Sequence, residues 1–519
     1  MHCPGRALIL APLLACGDAT GEASTAATSE TSAPTTATVA ATGGVEDSSG
    51  AAAVTGEITG TDTTTAETGD PTAVPSTGEP PPPAFVQIDP VDPRRLTWRG
   101  QPFYAAGYYP GAAFNMTGPD FGGDYLGFHT AVMDALAAGG VNYFRVWINW
   151  GNVGNASAPI EDQWDRHILH PYQRTGPGEA VDGAPKFDLD AWNPDYFTWL
   201  AAAVDLAGDR DLVVQVILLD CWHAGFGLQY GFGELDYFAA GNNINGLAFA
   251  DEAAWLDTAG PVFARHRAFV ERVVDTLGER DNLVWETCNE KRAGSHSTPD
   301  DTRIDAWHAA IADVVRAREA ALGLAAHRLI MPVDLPEHRT VAGHETPKDG
   351  GESIADMRAR LADEQFAWGL PLISDNDCCP GEPDADAVRV KAWAALTAGA
   401  HVDVFNNEMF KSAVLGNANT AAGIRSVGLV AAFVRTLAVE LAGMTPNDGL
   451  VSGDAWTYAR PGEEYVVYLP NGGQVEIPGL PPASARWWDP REGGAQDAGS
   501  GPIFVAPGPG DWALHVRVL

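Results

Sequence analysis

Residues 282–290 read Asn282-Leu-Val-Trp-Glu-Thr-Cys-Asn-Glu290, an apolar run that ends in an amide and a carboxylate. Similar runs recur between residues 103 and 440, each followed by a longer, alanine-rich segment with the period of a helix. This alternation predicts an α/β fold with a parallel sheet. Eight such units favour a closed (β/α)₈ TIM barrel over an open doubly wound sheet, and no glycine-rich phosphate loop opens the first helix.

The predicted strands set the positions at which polar side chains should collect. In such a barrel the active site lies at the carboxyl ends of the strands, so the residues there are the candidates. We predict strands over residues 102–109, 141–148, 212–219, 282–289, 328–333, 339–343, 371–374 and 401–406. We predict helices over residues 125–138, 194–207, 262–278, 301–322, 354–367, 385–398 and 421–441.

Glu290 stands at the end of the fourth predicted strand, beside Asn289. A carboxyl group in that position can act as a general acid, and a neighbouring amide can bind a hydroxyl group. Cleavage of a glycosidic bond needs such an acid and a second carboxylate across the bond. On this position alone, a helix N-cap or a surface glutamate is the alternative for Glu290.

Three segments resemble clan A glycoside hydrolases, the group that includes family 5. Trp285-Glu-Thr-Cys-Asn-Glu290 resembles their Trp-Glu-x-x-Asn-Glu strand. Asn142-Tyr-Phe-Arg-Val-Trp-Ile148 resembles the second strand of these enzymes, and Phe187-Asp-Leu-Asp190 with Asn193-Pro-Asp-Tyr-Phe197 is the third segment. The resemblance spans about residues 96–441 and implies a hydrolase of O-glycosidic bonds.

By this resemblance, Glu290 is the catalytic acid/base, Asn289 binds the sugar 2-hydroxyl group, and Arg145 lies near the nucleophile. Physical reasoning also places Arg145 near a carboxylate, because a guanidinium buried under a barrel mouth needs a carboxylate partner. A structural ion pair with Glu286 is the alternative for Arg145. We expect no cofactor and no metal. No Cys-x-x-Cys pair occurs, which argues against a zinc ribbon, and a metal site at the cysteines is the least favoured alternative.

The seventh predicted strand departs from the family pattern, which places a glutamate at its end. This chain has Asp375 and Asp377 there. We favour Asp375 as the nucleophile or base, because it follows the apolar run directly, with Asp377 as the second candidate and Glu408 as a less favoured third. Retaining enzymes hold their carboxyl groups about 5–5.5 Å apart and inverting enzymes about 6.5–9.5 Å, so the shorter aspartate leaves the stereochemical outcome open.

Aromatic and histidine side chains near other strand ends are candidates for sugar binding. Trp147 and Trp222 have flat faces that can stack on a sugar ring, whereas His223 and His344 can bond hydroxyl groups. A lone histidine is more often structural, and that alternative holds for both histidines. The predicted mouth also includes Tyr108, Tyr109 and Trp150.

The cysteines of the folded region also lie near strand ends. Cys221 follows the third strand, and Cys378 and Cys379 follow the seventh. In an exported protein these residues could be oxidised, and a disulfide between the adjacent pair is one possibility. For Cys288 we expect an unpaired, small core residue.

The first 16 residues read MHCPGRALILAPLLAC and resemble a bacterial lipoprotein signal peptide. In this resemblance the lipid is attached to Cys16, and an ordinary signal peptide is the alternative. Residues 17–84 are rich in Thr, Ala, Ser, Gly and Pro and lack the large apolar residues that offset the entropy of ordering, which predicts a disordered linker. We therefore expect an exported bacterial protein, anchored to a membrane or the cell surface through Cys16.

The formal net charge of -36 limits the partners. Such a field repels phosphate backbones, which argues against nucleic acid as a partner. It also favours a neutral glycan over a strongly acidic polysaccharide. We expect a monomeric protein whose partner is a carbohydrate.

Residues 445–519 form a separate unit after the barrel domain, which we place at residues 85–444. Short strands with Gly/Pro turns predict a small antiparallel β-sandwich. Tyr458-Ala-Arg-Pro-Gly462 and Arg486-Trp-Trp-Asp-Pro-Arg491 resemble a module catalogued as collagen-binding, a name that we do not take as a function. We expect this unit to pack on the barrel and stabilise it, with sugar binding through Trp487 or Trp488 as the alternative.

Two other functions compete with hydrolysis. The aspartates in place of the family's glutamate favour a sugar-binding protein that kept the barrel and lost efficient catalysis. The C-terminal unit favours a surface adhesin that binds a protein matrix. The sequence does not name the sugar or the linkage.

Overall fold

The computed structural model describes residues 84–109, 114–115, 117, 121–149, 168–219, 236–248, 252–288, 303–331, 340–345, 353–376, 384–405 and 416–519. The predicted leader, and the predicted linker up to residue 83, lie outside these ranges. The backbone alone is described for Tyr109 and His344. The residues singled out above that also lie outside are Cys16, Trp150, Cys221, Trp222, His223, Asn289, Glu290, Asp377, Cys378, Cys379 and Glu408.

A small antiparallel sheet precedes the barrel. Its strands are β1 (Gln87–Ile88), β2 (Leu96–Trp98) and β3 (Gln101–Phe103). Leu96 packs in one apolar cluster with Val213 and Val284 of the barrel lumen, so the sheet covers the amino-terminal end of the barrel. The predicted strand over residues 102–109 is wrong at its start, because the chain there pairs with β2 before the first barrel strand begins.

Eight parallel strands close into a barrel, which confirms the predicted TIM-barrel fold. The strands of this region are β4 (Ala106–Tyr109), β5 (Tyr143–Trp147), β6 (Tyr172–Glu179), β7 (Pro185–Trp192), β8 (Val213–Leu219), β9 (Leu283–Cys288), β10 (Arg328–Met331), β11 (Val341–Glu345), β12 (Leu372–Asn376) and β13 (His401–Phe405). The barrel order is β4-β5-β8-β9-β10-β11-β12-β13, and β13 pairs again with β4. Strands β6 and β7 form an antiparallel hairpin after β5, where we predicted only a loop.

The helices of the described region pack around the barrel. They are α1 (Tyr125–Gly139), α2 (Pro194–Gly208), α3 (Glu252–Leu256), α4 (Pro261–Leu277), α5 (Arg303–Ala321), α6 (Ile354–Trp368), α7 (Ala385–Ala398) and α8 (Ala418–Thr436). Side-chain caps begin several of them; for example, Asn193 accepts a hydrogen bond from the backbone N–H of Asp195. The predicted last helix ran to residue 441, but α8 stops at Thr436 and Ala438 then has a φ of 49°. No helix within the described ranges is both long and apolar enough to cross a membrane.

Two strand boundaries change the predicted surroundings of site residues. We predicted the sixth strand over residues 339–343, but β11 extends to Glu345, so the backbone of His344 lies inside the strand. We predicted that the seventh strand ends at residue 374, but β12 continues to Asn376. Asp375 therefore lies inside a strand and not after it.

Side chains that point into the barrel form an apolar layer and, above it, a polar layer. The apolar layer includes Tyr143, Val213, Val284 and Ile373. Two residues further along the same strands lie Arg145, Gln215, Glu286 and Asp375. Side chains two residues apart on a strand point to the same face, so the second set forms the next layer toward the carboxyl ends.

Residues after the barrel fold into antiparallel sheets, as predicted. Their strands are β14 (Thr445–Pro446), β15 (Trp456–Arg460), β16 (Glu464–Leu469), β17 (Gln474–Glu476), β18 (Ala483–Trp488), β19 (Ala495–Gly499), β20 (Ile503–Val505) and β21 (Trp512–Val518). Six strands form one sheet in the order β14-β15-β16-β21-β18-β19, and β17 pairs with β20. Trp487 and Trp488 are 2% and 3% exposed, so both are core residues and neither presents a surface for a sugar.

The C-terminal unit packs directly on the barrel helices. Trp393 of α7 stacks on Tyr468 of β16, with ring centroids 5.3 Å apart and 2° between the ring planes. Beside this stack, Asp511 accepts hydrogen bonds from the Tyr468 hydroxyl at 2.7 Å and from Arg389 Nε of α7 at 2.9 Å. All of these groups are buried or nearly so. This contact supports the predicted role of the unit in stabilising the barrel.

Trp393→Ala is expected to lower the free energy of unfolding by about 3–5 kcal/mol, the usual cost of truncating a buried tryptophan. Trp393 is fully buried, and its ring links α7 to the C-terminal unit. The measurement is urea denaturation followed by circular dichroism. Phe366→Ala serves as the control, because Phe366 is 40% exposed and should contribute far less. Equal midpoints for Trp393→Ala and the unaltered protein would show that this contact does not stabilise the fold.

Candidate active site

Arg145 lies at the centre of the polar layer and bridges two carboxylates. Its Nε and Nη2 donate to the two oxygens of Glu286 on β9, each at 2.8 Å. Its Nη1 donates to Asp375 Oδ2 on β12. Arg145, Glu286 and Asp375 are 6%, 3% and 7% exposed, so both ion pairs are shielded from water. Arg145 therefore contacts both the aspartate favoured from the sequence and Glu286, the alternative partner.

Glu286 also accepts a hydrogen bond from Gln215, which is itself bonded by Tyr143. Gln215 Nε2 donates to Glu286 Oε2 at 2.7 Å, and the Tyr143 hydroxyl donates to Gln215 Oε1. Burial, and then the nearby carboxylates of Asp403 and Glu286, raise the pKa of Tyr143 well above its ordinary value. The hydroxyl therefore stays protonated and keeps its role as a donor. This chain of bonds fixes Glu286 and, through Arg145, orients Asp375.

Asp403, on β13, is a fully buried carboxylate that we did not single out from the sequence. It lies against Gly107 of β4 and the ring of Tyr143: a Cβ added at Gly107 would collide with the Asp403 carboxylate and come within 2.8 Å of the Tyr143 ring. Only glycine permits this close approach. The signal that could have revealed Asp403 is a lone acid inside an otherwise apolar strand, between Val402 and Val404.

The side chains that we predicted to bind sugar differ in their surroundings. Trp147 lies two residues beyond Arg145 on β5, so it faces the lumen one layer nearer the mouth. It is 6% exposed, so protein covers most of its surface. Tyr108 is fully buried and packs against Gly423 of α8 on the outside of the barrel, so it does not line a cleft.

Cys288 is disulfide-bonded, so our prediction of an unpaired core residue is wrong. It is the one cysteine within the described ranges, which places its partner outside them. The local sequence around a cysteine does not show whether another cysteine comes close to it in the fold, so pairing could not be predicted from the strand pattern. Cys288 stands two residues before Glu290, so the disulfide restrains the end of the strand that leads to the candidate acid/base.

Another buried carboxyl group lies outside the polar layer, in the segment 236–248 between β8 and α3. Burial raises the pKa of Asp236 to about 7, although the backbone N–H of Phe238 donates to the carboxylate and opposes the rise. The neighbouring Tyr237 hydroxyl donates to Asn149 Oδ1 at 2.8 Å, two residues after β5 ends. We did not predict Asp236 as a site residue, because its segment carries no strand or helix pattern.

The polar layer provides a fixed support for a carboxylate of the kind that two-carboxylate chemistry needs. It holds Asp375 in one orientation through a fixed guanidinium, and it does so in a region of low exposure, where electrostatic interactions are strong. Its residues come from β5, β8, β9 and β12, so the closed barrel alone assembles them. Among the described residues, no cluster of His, Cys, Asp and Glu is arranged to hold a metal ion.

Solved structures of glycoside hydrolases share this architecture. One solved glycoside hydrolase is 13% identical in sequence, with 84% of this chain and 97% of that chain covered and a TM-score of 0.55. A family 5 glycoside hydrolase from Bacteroides vulgatus is also 13% identical, with 84% and 93% covered and a TM-score of 0.54.

This chain has the fold of family 5 glycoside hydrolases. No protein-family model matches its sequence. No curated protein matches it either. At 13% identity the likeness concerns the fold, which spans the barrel and the C-terminal sheets together, since 84% of the chain is covered. In this chain the polar layer of Arg145, Glu286 and Asp375 lies toward the carboxyl ends of the barrel strands. That is the end at which TIM-barrel enzymes in general carry their active sites.

Proposed function

We propose that this protein is a glycoside hydrolase that cleaves O-glycosidic bonds in a poly- or oligosaccharide. Glu290 is the acid/base, and Asp375 is the second catalytic carboxylate, with Asp377 as the alternative. The observation that carries the proposal is the buried side chain of Arg145. Its Nη1 donates to Asp375, while its Nε and Nη2 donate to Glu286, which fixes the guanidinium. A carboxylate fixed in this way is ionised and oriented, as a nucleophile or a base requires.

The order of residues along β9 supports the proposed role of Glu290. Glu286 points into the lumen and binds Arg145, and Cys288 is the next residue of the same alternation. Glu290 follows two residues later in the sequence. Glu290 protonates the leaving oxygen, while Asp375 attacks the anomeric carbon or activates the attacking water. Asn289, Trp147, Trp222, His223 and His344 are the proposed contacts to the sugar.

Asp375→Asn is expected to reduce kcat/KM by at least about 10³-fold, since it removes the charge that attacks or activates water, whereas Asp377→Asn should retain most of the rate. The measurement is product release from a panel of neutral glycans, followed by kinetics on the best substrate. Proton NMR of the first product formed then distinguishes retention from inversion. Loss of activity in Asp377→Asn alone would transfer the catalytic role from Asp375 to Asp377.

Asp205→Asn is a matched control for both aspartate variants. Asp205 carries the same functional group in a surface ion pair with Arg280, with Nε and Oδ1 2.7 Å apart. We expect no change in rate for this variant. If the unaltered protein binds a glycan of the panel and releases no product, the proposal of hydrolysis fails, and a sugar-binding barrel is the function that the fold supports.

A further inference from the structure

Asp375 and Asp403 occupy neighbouring strands at the same level. Strands β12 and β13 are parallel, and the two residues are direct partners in the register. Neighbouring strands lie about 4.7–4.9 Å apart, so the two backbones hold these residues side by side. The row continues on both sides: Glu345 of β11 pairs with Asp375, and Gly107 of β4 pairs with Asp403.

Both aspartate side chains point into the barrel. Asp375 reaches Arg145 of β5, which is three strands away around the barrel. Asp403 and the ring of Tyr143, which is also on β5 and two strands away, both approach the same face of Gly107. Both carboxylates also act on the same hydroxyl group, because Asp403 and Asp375 each contribute to raising the pKa of Tyr143. The register and the shared face therefore make the two carboxyl groups neighbours in the barrel lumen.

We propose that Asp403 is a positioning residue for the reaction, and that its buried carboxyl group and that of Asp375 titrate as a coupled pair. This inference rests on the proposed catalytic role of Asp375. Like charges at close range disfavour each other's ionised form, and the effect is large where water is excluded. Asp403 is fully buried, and Asp375 is 7% exposed. Asp403 thus opposes ionisation of Asp375, whereas Arg145 favours it.

Other titratable groups face this pair. Arg145 of β5 donates a hydrogen bond to Asp375. The other carboxylate that Arg145 binds is Glu286 of β9. Tyr143 stays protonated. Glu345 of β11 is the register partner of Asp375, and its backbone alone is described. One layer below, burial lowers the pKa of His401 far below its ordinary value, so this residue is neutral. Gly107, the neighbour on β4, adds no charge.

Asp403→Asn tests the coupling through the pH dependence of kcat/KM. The acidic limb reports the group that must be ionised, which is Asp375 in our proposal. Removal of the neighbouring negative charge lowers the pKa of Asp375, so this limb should move to lower pH by about one to two units, on the basis of an effective dielectric constant of about 20. Asp205→Asn should leave the limb in place. A folded Asp403→Asn protein with an unmoved or raised acidic limb would overturn the proposal and leave Asp403 a packing residue.

A second measurement needs neither hydrolysis nor the Asp403 variant. In the unaltered protein with ¹³C-labelled aspartate carboxyl groups, the Asp375 signal is assigned by its loss in Asp375→Asn. A coupled pair titrates in two steps, so this signal should shift biphasically with pH, and a single-step titration would contradict the proposal. If the protein hydrolyses no glycan yet the titration is biphasic, the proposed enzymatic function fails while the coupling stands.

Discussion

Glu290→Gln is expected to lower kcat by about 10²- to 10⁴-fold, the usual contribution of general acid–base catalysis. Glutamine has nearly the same shape as glutamate, but it cannot deliver a proton to the leaving oxygen. The loss should be smaller for an aryl glycoside with an acidic phenol as the leaving group, because such a group departs without protonation. The measurement compares kcat on the natural glycan with kcat on the aryl glycoside.

The control for this change is Glu279→Gln, the same substitution at an exposed position just after α4. It should leave both rates unchanged. Circular dichroism and the unfolding midpoint should match for the two variants and the unaltered protein. An unchanged rate on the natural glycan in Glu290→Gln would remove Glu290 from the mechanism.

Arg145→Met is expected to lower the free energy of unfolding by about 3–5 kcal/mol. The substitution removes the guanidinium that donates to Glu286 and Asp375, and it leaves two carboxylates crowded in the barrel without this cation. Breaking a buried ion pair on one side costs far more than the pair contributes, because the remaining charge stays desolvated. Urea unfolding followed by tryptophan fluorescence measures the change.

Two further variants separate this effect from a simple loss of volume. Arg280→Met removes a surface ion pair with Asp205, whose carboxylate side chain is 58% exposed, and should cost no more than about 1 kcal/mol. The double variant Arg145→Met with Glu286→Gln should be more stable than Arg145→Met alone, since it removes one of the two carboxylates that lose their partner. Equal losses for Arg145→Met and Arg280→Met would show that the buried network does not stabilise the barrel.

The strand and helix positions could be predicted because their signals are local. All seven predicted helices match a helix of the structure, namely α1, α2 and α4 to α8. Most of their ends agree within two residues, since periodicity, Pro194 and the glycines at helix ends are visible in the sequence. The prediction failed at residues 102–109, where Gln101–Phe103 continues the β pattern but pairs with another sheet. Pairing partners are distant in sequence, so pattern alone does not decide them.

The polar layer shows the same division. Arg145 and Asp375 could be singled out because each follows or interrupts an apolar run near a strand end. Asp403 and Gln215 were missed, although they interrupt apolar runs in the same way. A lone polar residue in a strand has the same local sequence whether it meets a partner across the barrel or a helix outside it. Only closure of the barrel distinguishes the two cases.

The sequence by itself determined the barrel, the following antiparallel sheets and the strand that leads to Glu290, because hydrophobic period and turn residues act over short distances. The tertiary structure alone decided that Arg145 binds Glu286 and Asp375 together, that Asp403 stands beside Asp375, and that Cys288 is paired. The contacts of Arg145 and Asp403 join strands that are separate in the chain, and their energies depend on burial and on strand register. Burial and strand register are both fixed only when the eight strands close into the barrel.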